Sequence, residues 1–520
     1  MATSQAPSRI VILGGGTAGW LTAGYIASTV ARTYPDMSIT LVEAQDIGII
    51  GVGEATIPTL RSTLQHMGIA EDDFLRNVNG AFKQAIRFQN WLHDPAQQST
   101  YFYHPFHKAS NVDILAAAQH LHFNSTSGTQ TYAHYATPQS MACDANKAPG
   151  PLDNADKSGL TYAYHMDATL FGQFLRKRFE GKTVRRIEGN VEGAMRNSEG
   201  NITAVALKDG TSIEGDFFID CSGFRGLLIN QQLQVPFTSF SKWLPCDRAL
   251  AISVPYLPGE RIRPYTQATA QKNGWIWDIN LASRRGVGHV YCSDYTDREG
   301  AEKALRNYLG TSWPKEADVR ELKIRVGRCD RLWEHNCVAI GLAGGFIEPL
   351  ESTGIYLIEM GIRYLVDHWP LTGITPEHRW SYNNLMHNAY DEVLSFVFMH
   401  YFISQRTDSD FWRDFKHRVS GLPNDLEYRL NLWRHKYPSK HDTKAMDGNI
   451  FGYESLIAIL SGMDWFRGAA SPYVTSDESG VRNYHKQRLR EFEQQIAAYP
   501  SHEHYLATHG VDLGVTLPTK

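Results

Sequence analysis

The stretch GGGTAG at positions 14–19 limits what this chain can fold into more than any other feature. It follows a continuous apolar run at 10–13, the pattern of a buried parallel strand. It opens a segment with helical spacing through Trp20, Leu21, Tyr25 and Ile26. A second apolar run at 39–42 is closed by Glu43. Strand, glycine turn, helix and strand form one βαβ unit, the context in which Gly14-x-Gly16-x-x-Gly19 reads as a dinucleotide site. Gly14, Gly16 and Gly19 let the backbone approach a pyrophosphate, with Thr17 and Ala18 in the first helical turn. Glu43 stands where ribose hydroxyls are bound.

Two further pieces of α/β core lie far downstream. Residues 191–220 hold β-rich segments broken by Asn-Ser-Glu-Gly-Asn and Lys-Asp-Gly-Thr, which are hairpin signals, and run into Asp220-Cys221-Ser222-Gly223. The apolar run at 338–340 leads into GLAGGFIEPLESTG. A β-meander and a late strand ending in a glycine turn suit an FAD protein of the glutathione-reductase type, with Gly345 and Ile355 at the cofactor. No second G-x-G-x-x-G follows a strand, so no nicotinamide site is evident on this chain.

The fold class expected is therefore α/β: a Rossmann-like FAD-binding core with an inserted substrate region and a helical C-terminal region. Residues 1–83, 161–229 and 326–372 are assigned to the discontinuous core, 84–160 and 230–325 to a substrate-side sheet region, and 373–520 to helices covering the substrate site. Residues 124–160, rich in small and polar side chains, read as a long loop. Thr375-Pro376-Glu377 reads as a helix start.

The totals exclude several functions. A net charge of −4 over 520 residues argues against a nucleic-acid or membrane surface. No apolar run is long enough for a signal peptide or membrane span, which makes cytoplasmic placement the expectation. The six cysteines form no C-x-x-C pair, so no metal site is expected.

Three stretches carry candidate chemistry. In GAFKQAIRFQNW, at 80–91, Phe82, Ile86 and Phe88 alternate with Lys83 and Arg87, which alone reads as a half-buried strand with a wet lysine. In GFIEPLESTGIYLIEMGI, at 345–362, Pro349 breaks the chain and apolar periodicity begins near Thr353. Ser352 or Thr353 is a natural helix cap, and the first N–H groups, at Thr353 and Gly354, offer an anion site. Glu351 precedes that start, where an acid also gains from the helix dipole. In GWIWDINL, at 274–281, Trp275, Trp277 and Ile279 share one side of a strand, as a core stripe or as a wall beside a flat cofactor.

Together the glycine motif, the lysine in GAFKQAIRF, the W-x-W-x-I stretch and the EPLESTG turn resemble the flavin-dependent halogenases of the tryptophan-halogenase family. The resemblance runs from GGGTAGW to GMDW at 462–465. It implies that a separate NAD(P)H-dependent flavin reductase delivers reduced FAD and that O2 is a co-substrate. Chloride or bromide, held near Thr353 and Gly354, is converted to hypohalous acid. The acid passes through an internal tunnel to Lys83, which hydrogen-bonds it or becomes a haloamine. Glu351 orients the acid or relieves the cationic ring intermediate, Ser352 helps to position the reactants, and Trp275 and Trp277 form a flavin or substrate wall. Lys83 is then expected at the inner end of a tunnel, close to Glu351 and away from bulk water. A monomer or homodimer is expected.

The sequence departs from the family in places. Asn280 stands where the W-x-W-x-I stretch usually continues with proline, and Leu342 where many related flavoproteins carry an aspartate. The Tyr-Tyr pair with which enzymes acting on free tryptophan hold the amino-acid group is missing from 450–465, which offers Tyr453 and Glu454 and then Ser-Leu-Ile-Ala. The substrate expected is an indole or another small electron-rich aromatic. Two other readings stay open: an aromatic monooxygenase, and an FAD-binding protein without activity.

Overall fold

The computed structural model describes residues 6–44, 53–110, 112–114, 116–117, 132–152, 159–418, 420–442, 450–466 and 477–515. A six-stranded sheet forms the core, in the order Trp333–Glu334, Cys337–Ala339, Phe217–Asp220, Arg9–Leu13, Ser38–Glu43 and Arg185–Glu188. Every neighbouring pair but the first is parallel. Ile10, Val11 and Ile12 are at most 1% exposed, which is why this strand reads as one unbroken apolar run. The helix Thr17–Ser28 crosses over to Ser38–Glu43. The meander is the three-stranded sheet of Val191–Arg196, Ile202–Leu207 and Ser212–Glu214.

A second, seven-stranded sheet runs Arg320–Lys323, Arg248–Pro255, Arg284–Tyr291, Gly274–Asn280, Tyr265–Gln271, Ala85–Gln89, Tyr101–Pro105. The stretch at 80–91 is not one strand. Ala81–Lys83 pairs with Ala163–Met166 in a small sheet, whereas Ala85–Gln89 joins the large one. Gln84 spans the seam, its N–H donating to the Pro264 carbonyl at 2.7 Å and its own carbonyl accepting from Phe106 N at 3.1 Å. The simple alternation of a half-buried strand fails here because both faces are covered.

Helices follow. Thr375 caps the 28-residue helix Pro376–Ile403, accepting from His378 N, as its Thr-Pro-Glu start suggests. The helices Tyr453–Gly462, Glu478–Ala497 and His502–Thr508 come later. The loop expected at 124–160 is only partly so: the helices Tyr132–Ala136 and Gln139–Asp144 lie within it, while 124–131 and 153–158 fall outside the described residues. Pro138 stands at the N-cap of Gln139–Asp144, so the proline there starts a helix instead of marking a loop. No described helix is long and apolar enough to cross a membrane.

Candidate active site

A cavity of about 580 Å³ lies between the first glycine loop and the late glycine turn. Gly14, Gly16, Thr17, Ala18 and Glu43 line it, as do Gly345, Ser352, Gly354 and Ile355. At Gly14 (φ +115°) a Cβ would lie 2.2 Å from the Cys221 carbonyl oxygen, so strand and loop close up only on glycine. Gly19 does not line the cavity; a Cβ there would meet the Gly14 carbonyl at 1.8 Å, and its role is close packing. The helix starting at Thr17 has no side-chain cap, leaving its first N–H groups to the loop side. The Thr17 hydroxyl donates to the Ala168 carbonyl at 3.0 Å. Arg186 and Arg176 both donate to Glu43 Oε1, fixing the carboxylate beside the loop. Leu342 and Arg225 also line the cavity.

These residues fit FAD. The glycine cradle, the uncapped helix start and an oriented acid are what an adenine dinucleotide requires, and the volume suits a cofactor.

The two tryptophans part company. Trp277 and Ile279 line the cavity, but Trp275 does not. Trp275 is 1% exposed and its indole N–H donates to Glu348 Oε2 at 2.8 Å, where the Tyr401 hydroxyl also donates. It is thus a buried tie to the EPLESTG turn, and of the two tryptophans expected to form a flavin or substrate wall only Trp277 reaches the cavity. Asn280, in the proline position, extends the strand to a pairing with Arg285 and accepts from Arg263 N at 3.0 Å.

Lys83 is fully buried. Its Nζ donates to Ser352 Oγ at 2.6 Å and to the Thr56 carbonyl at 3.0 Å, and lies 4.9 Å from the centre of the Phe106 ring. Burial pushes its pKa down to about 7, and the Glu351 charge opposes that fall. Lys83 is itself outside the cavity lining, whereas Ser352 belongs to it, so Ser352 is where the cavity and the lysine meet. Ser352 has φ +60°, a conformation a non-glycine residue adopts at a cost.

Glu351, 1% exposed, is held by residues with no mark in the sequence. His104 Nδ1 is 2.8 Å from its Oε2, and His400 Nε2 is 2.8 Å from its Oε1. Burial raises the carboxyl, but His104 and then His400 outweigh it and bring it down to about 2. Its partners are these histidines, with Lys83 bonded one residue away at Ser352. His104 stands in the strand Tyr101–Pro105 and His400 in the last turn of Pro376–Ile403; the chain's 21 histidines hid both. The YFYHP alternation and the Phe396/His400 spacing were the only available signals. Among the described residues no group of three or more His, Cys, Asp or Glu side chains could hold a metal ion.

Thr353 takes the N-cap position of the helix Gly354–Asp367 but makes no side-chain cap, and neither does Ser352. The Thr353 hydroxyl is buried without a hydrogen-bond partner. The expected cap is missing because Ser352 turns its hydroxyl to Lys83, and the helix start is left uncapped. In Tyr164-His165-x-Asp167, Asp167 caps the helix Ala168–Phe179, and His165 bonds the Asn280 carbonyl and the Thr266 hydroxyl.

A distant residue fixes the strand of Lys83. The Phe82 N–H donates to His502 Nε2 at 3.2 Å, and His502 Nδ1 is 2.8 Å from the Ile262 carbonyl. Neighbouring Glu503 accepts from Ile262 N and Arg261.

A family model described as tryptophan halogenase matches residues 9–477. A tryptophan 6-halogenase of Streptomyces toxytricini is 36% identical over 88% of this chain and 89% of its own length. A tryptophan 7-halogenase of Lentzea aerocolonigenes is 34% identical over 89% of this chain and 91% of its own. The solved structure of a flavin-dependent halogenase from Xanthomonas campestris aligns with TM-score 0.87 at 32% identity, covering 97% of this chain and 99% of that one.

Proposed function

The chain belongs to the tryptophan halogenase family, flavin-dependent enzymes that halogenate aromatic substrates, and on that premise we propose that it halogenates a small indole-like aromatic through hypohalous acid passed to Lys83. The observation that carries this reading is the contact of Lys83 with Ser352, 2.6 Å long, at the boundary of the cavity that the glycine loops enclose. Reduced FAD, supplied by a separate NAD(P)H-dependent reductase, would give O2 two electrons, and chloride or bromide would give the other two in becoming hypohalous acid.

The side chains and backbone do the rest. The uncapped helix start after Gly16 holds the pyrophosphate, and Glu43 takes ribose hydroxyls. Backbone N–H groups at Thr353 and Gly354 hold the halide, favoured by the dipole of the helix they begin. Lys83, fixed by Ser352 and the Thr56 carbonyl, presents its remaining N–H or lone pair to hypohalous acid or carries the halogen as a haloamine. Burial keeps the ammonium close to neutrality, so either state is within reach at working pH. The carboxylate of Glu351 faces the cationic ring.

The names of the curated relatives favour free tryptophan as substrate. Against it stands the segment Tyr453–Gly462, which lacks the Tyr-Tyr pair and buries Leu456, Ile457 and Ala458. The test is to incubate the protein with FAD, a flavin reductase, NADH and bromide, offer indoles, phenols and tryptophan, and read product mass. Brominated indole, with kcat/KM above that for tryptophan, is expected. A hydroxylated product formed equally well without halide would sink the halogenase reading; a higher kcat/KM for tryptophan would sink the substrate assignment.

A further inference from the structure

The hydrogen bonds around Glu351 fix how many protons the site holds. His400 Nδ1 lies 2.8 Å from the Phe396 carbonyl, which only accepts, so Nδ1 carries a hydrogen. A neutral His400 would then point a bare lone pair at Glu351 Oε1, 2.8 Å from Nε2. Two acceptors do not meet at that distance, so a further proton lies between them. The other carboxylate oxygen is taken by His104 Nδ1. His400 is fully buried, with the rings of Phe88, Phe396 and Trp91 at 4.9, 5.1 and 6.2 Å between centroids.

Two helix ends favour the charge-separated form. His400 sits in the last turn of Pro376–Ile403, where a cation is stabilised, and Glu351 lies just ahead of Gly354–Asp367, where an anion is. The pair is a carboxylate and an imidazolium of zero net charge, closed off from water.

We propose that Glu351 and His400 form a preloaded proton store, which lends one proton to the departing oxygen of hypohalous acid and takes one back from the ring. The idea rests on the reading that Lys83 presents that acid. As the halogen passes to the aromatic carbon, the carbon–halogen bond forms and the halogen–oxygen bond breaks. The oxygen takes the stored proton, delivered by Glu351, and leaves as water. The pair then carries a charge of −1 while the ring carries +1, so stabilisation arrives with the charge it opposes. The ring carbon next gives its proton to Glu351, and the store is refilled. Aromatic C–H plus hypohalous acid yields the aryl halide plus water, with no proton drawn from solvent. From a haloamine at Lys83, the lysine nitrogen takes the stored proton instead. On that reading it is Glu351 that meets the reacting atoms, and His400 is a positioning residue acting through it.

His400→Gln keeps a donor toward Glu351 but cannot carry the extra proton. In that variant Glu351 must bring its own proton, and its protonated fraction falls about tenfold per pH unit above its pKa. The ratio of wild-type to variant kcat for indole bromination should therefore rise about 100-fold between about pH 6 and about pH 8. Taking the ratio cancels every titration the two proteins share, Lys83 included. A ratio independent of pH would overturn the proposal. Should the variant not fold, neutron diffraction of the wild type at about pH 8 decides: deuterium on both nitrogens of His400 supports the store, and a singly deuterated ring beside an ionised Glu351 refutes it. A wild type that brominates no aromatic at all would sink the function proposed above, not the store alone.

Discussion

Replacing His502 by leucine tests how a residue near the end of the chain holds Lys83 in place. His502 accepts from Phe82 N, one residue before Lys83, and donates to the Ile262 carbonyl. His502→Leu leaves one N–H and one C=O buried and unpaired. At about 1–3 kcal/mol each, the loss is about 2–6 kcal/mol. For a chain of 520 residues, with unfolding entropy of about 2 cal/mol/K per residue, that lowers Tm by about 2–6 °C. His502→Gln retains an acceptor and a donor and should melt close to wild type. The sign with pH follows from burial, which pushes His502 below the ordinary histidine value. Its share of stability is complete above about pH 6.5 and is lost as pH falls below that. Calorimetric melts should therefore show the glutamine variant gaining on wild type between about pH 7 and about pH 5. The charged groups nearest the ring are Glu503, which favours the imidazolium, and Arg261, which opposes it. A leucine variant melting within about 1 °C of wild type at neutral pH would refute the reasoning.

Two more outcomes follow from buried charges. Lys83→Met should abolish halogenation yet stabilise the fold by about 2–4 kcal/mol near pH 6, because the lysine's folded pKa of about 7 lies far below its ordinary one. The gain should shrink as pH rises toward about 10, as denaturant titrations at several pH values would show. Glu348, pushed up to about 7 by burial against its donors Trp275 and Tyr401, contributes stability that is lost as pH rises through that value. Glu348→Gln should match wild type near pH 5 and melt higher above pH 7, in melts run side by side.

The glycine loop, its strands and the helix starts were legible because each is decided within a few residues. At Gly14 and Thr375 the local chemistry leaves one solution. Lys83 was legible only through the company of three other motifs: its own stretch reads as an amphipathic strand, whereas Gln84 hands the chain from one sheet to another and both faces become buried. The pairings made by His104, His400, Thr56 and His502 were not legible. Each acts through a partner 27 to 420 positions away, and no periodicity encodes such a pairing. Trp275 and Trp277 share a side of one strand, but their different fates depend on Glu348, which lies 73 positions from Trp275.

Ser352, held at φ +60°, sets folding and chemistry against each other at a single backbone position. Glycine would relax that turn and stabilise the chain by about 1 kcal/mol. It would also delete the hydroxyl that tethers Lys83. A laboratory evolution campaign scored on heat resistance alone would drift toward glycine at this position, accumulating sturdier proteins that no longer do the work. Selecting for product at every round is what keeps the less comfortable residue in place.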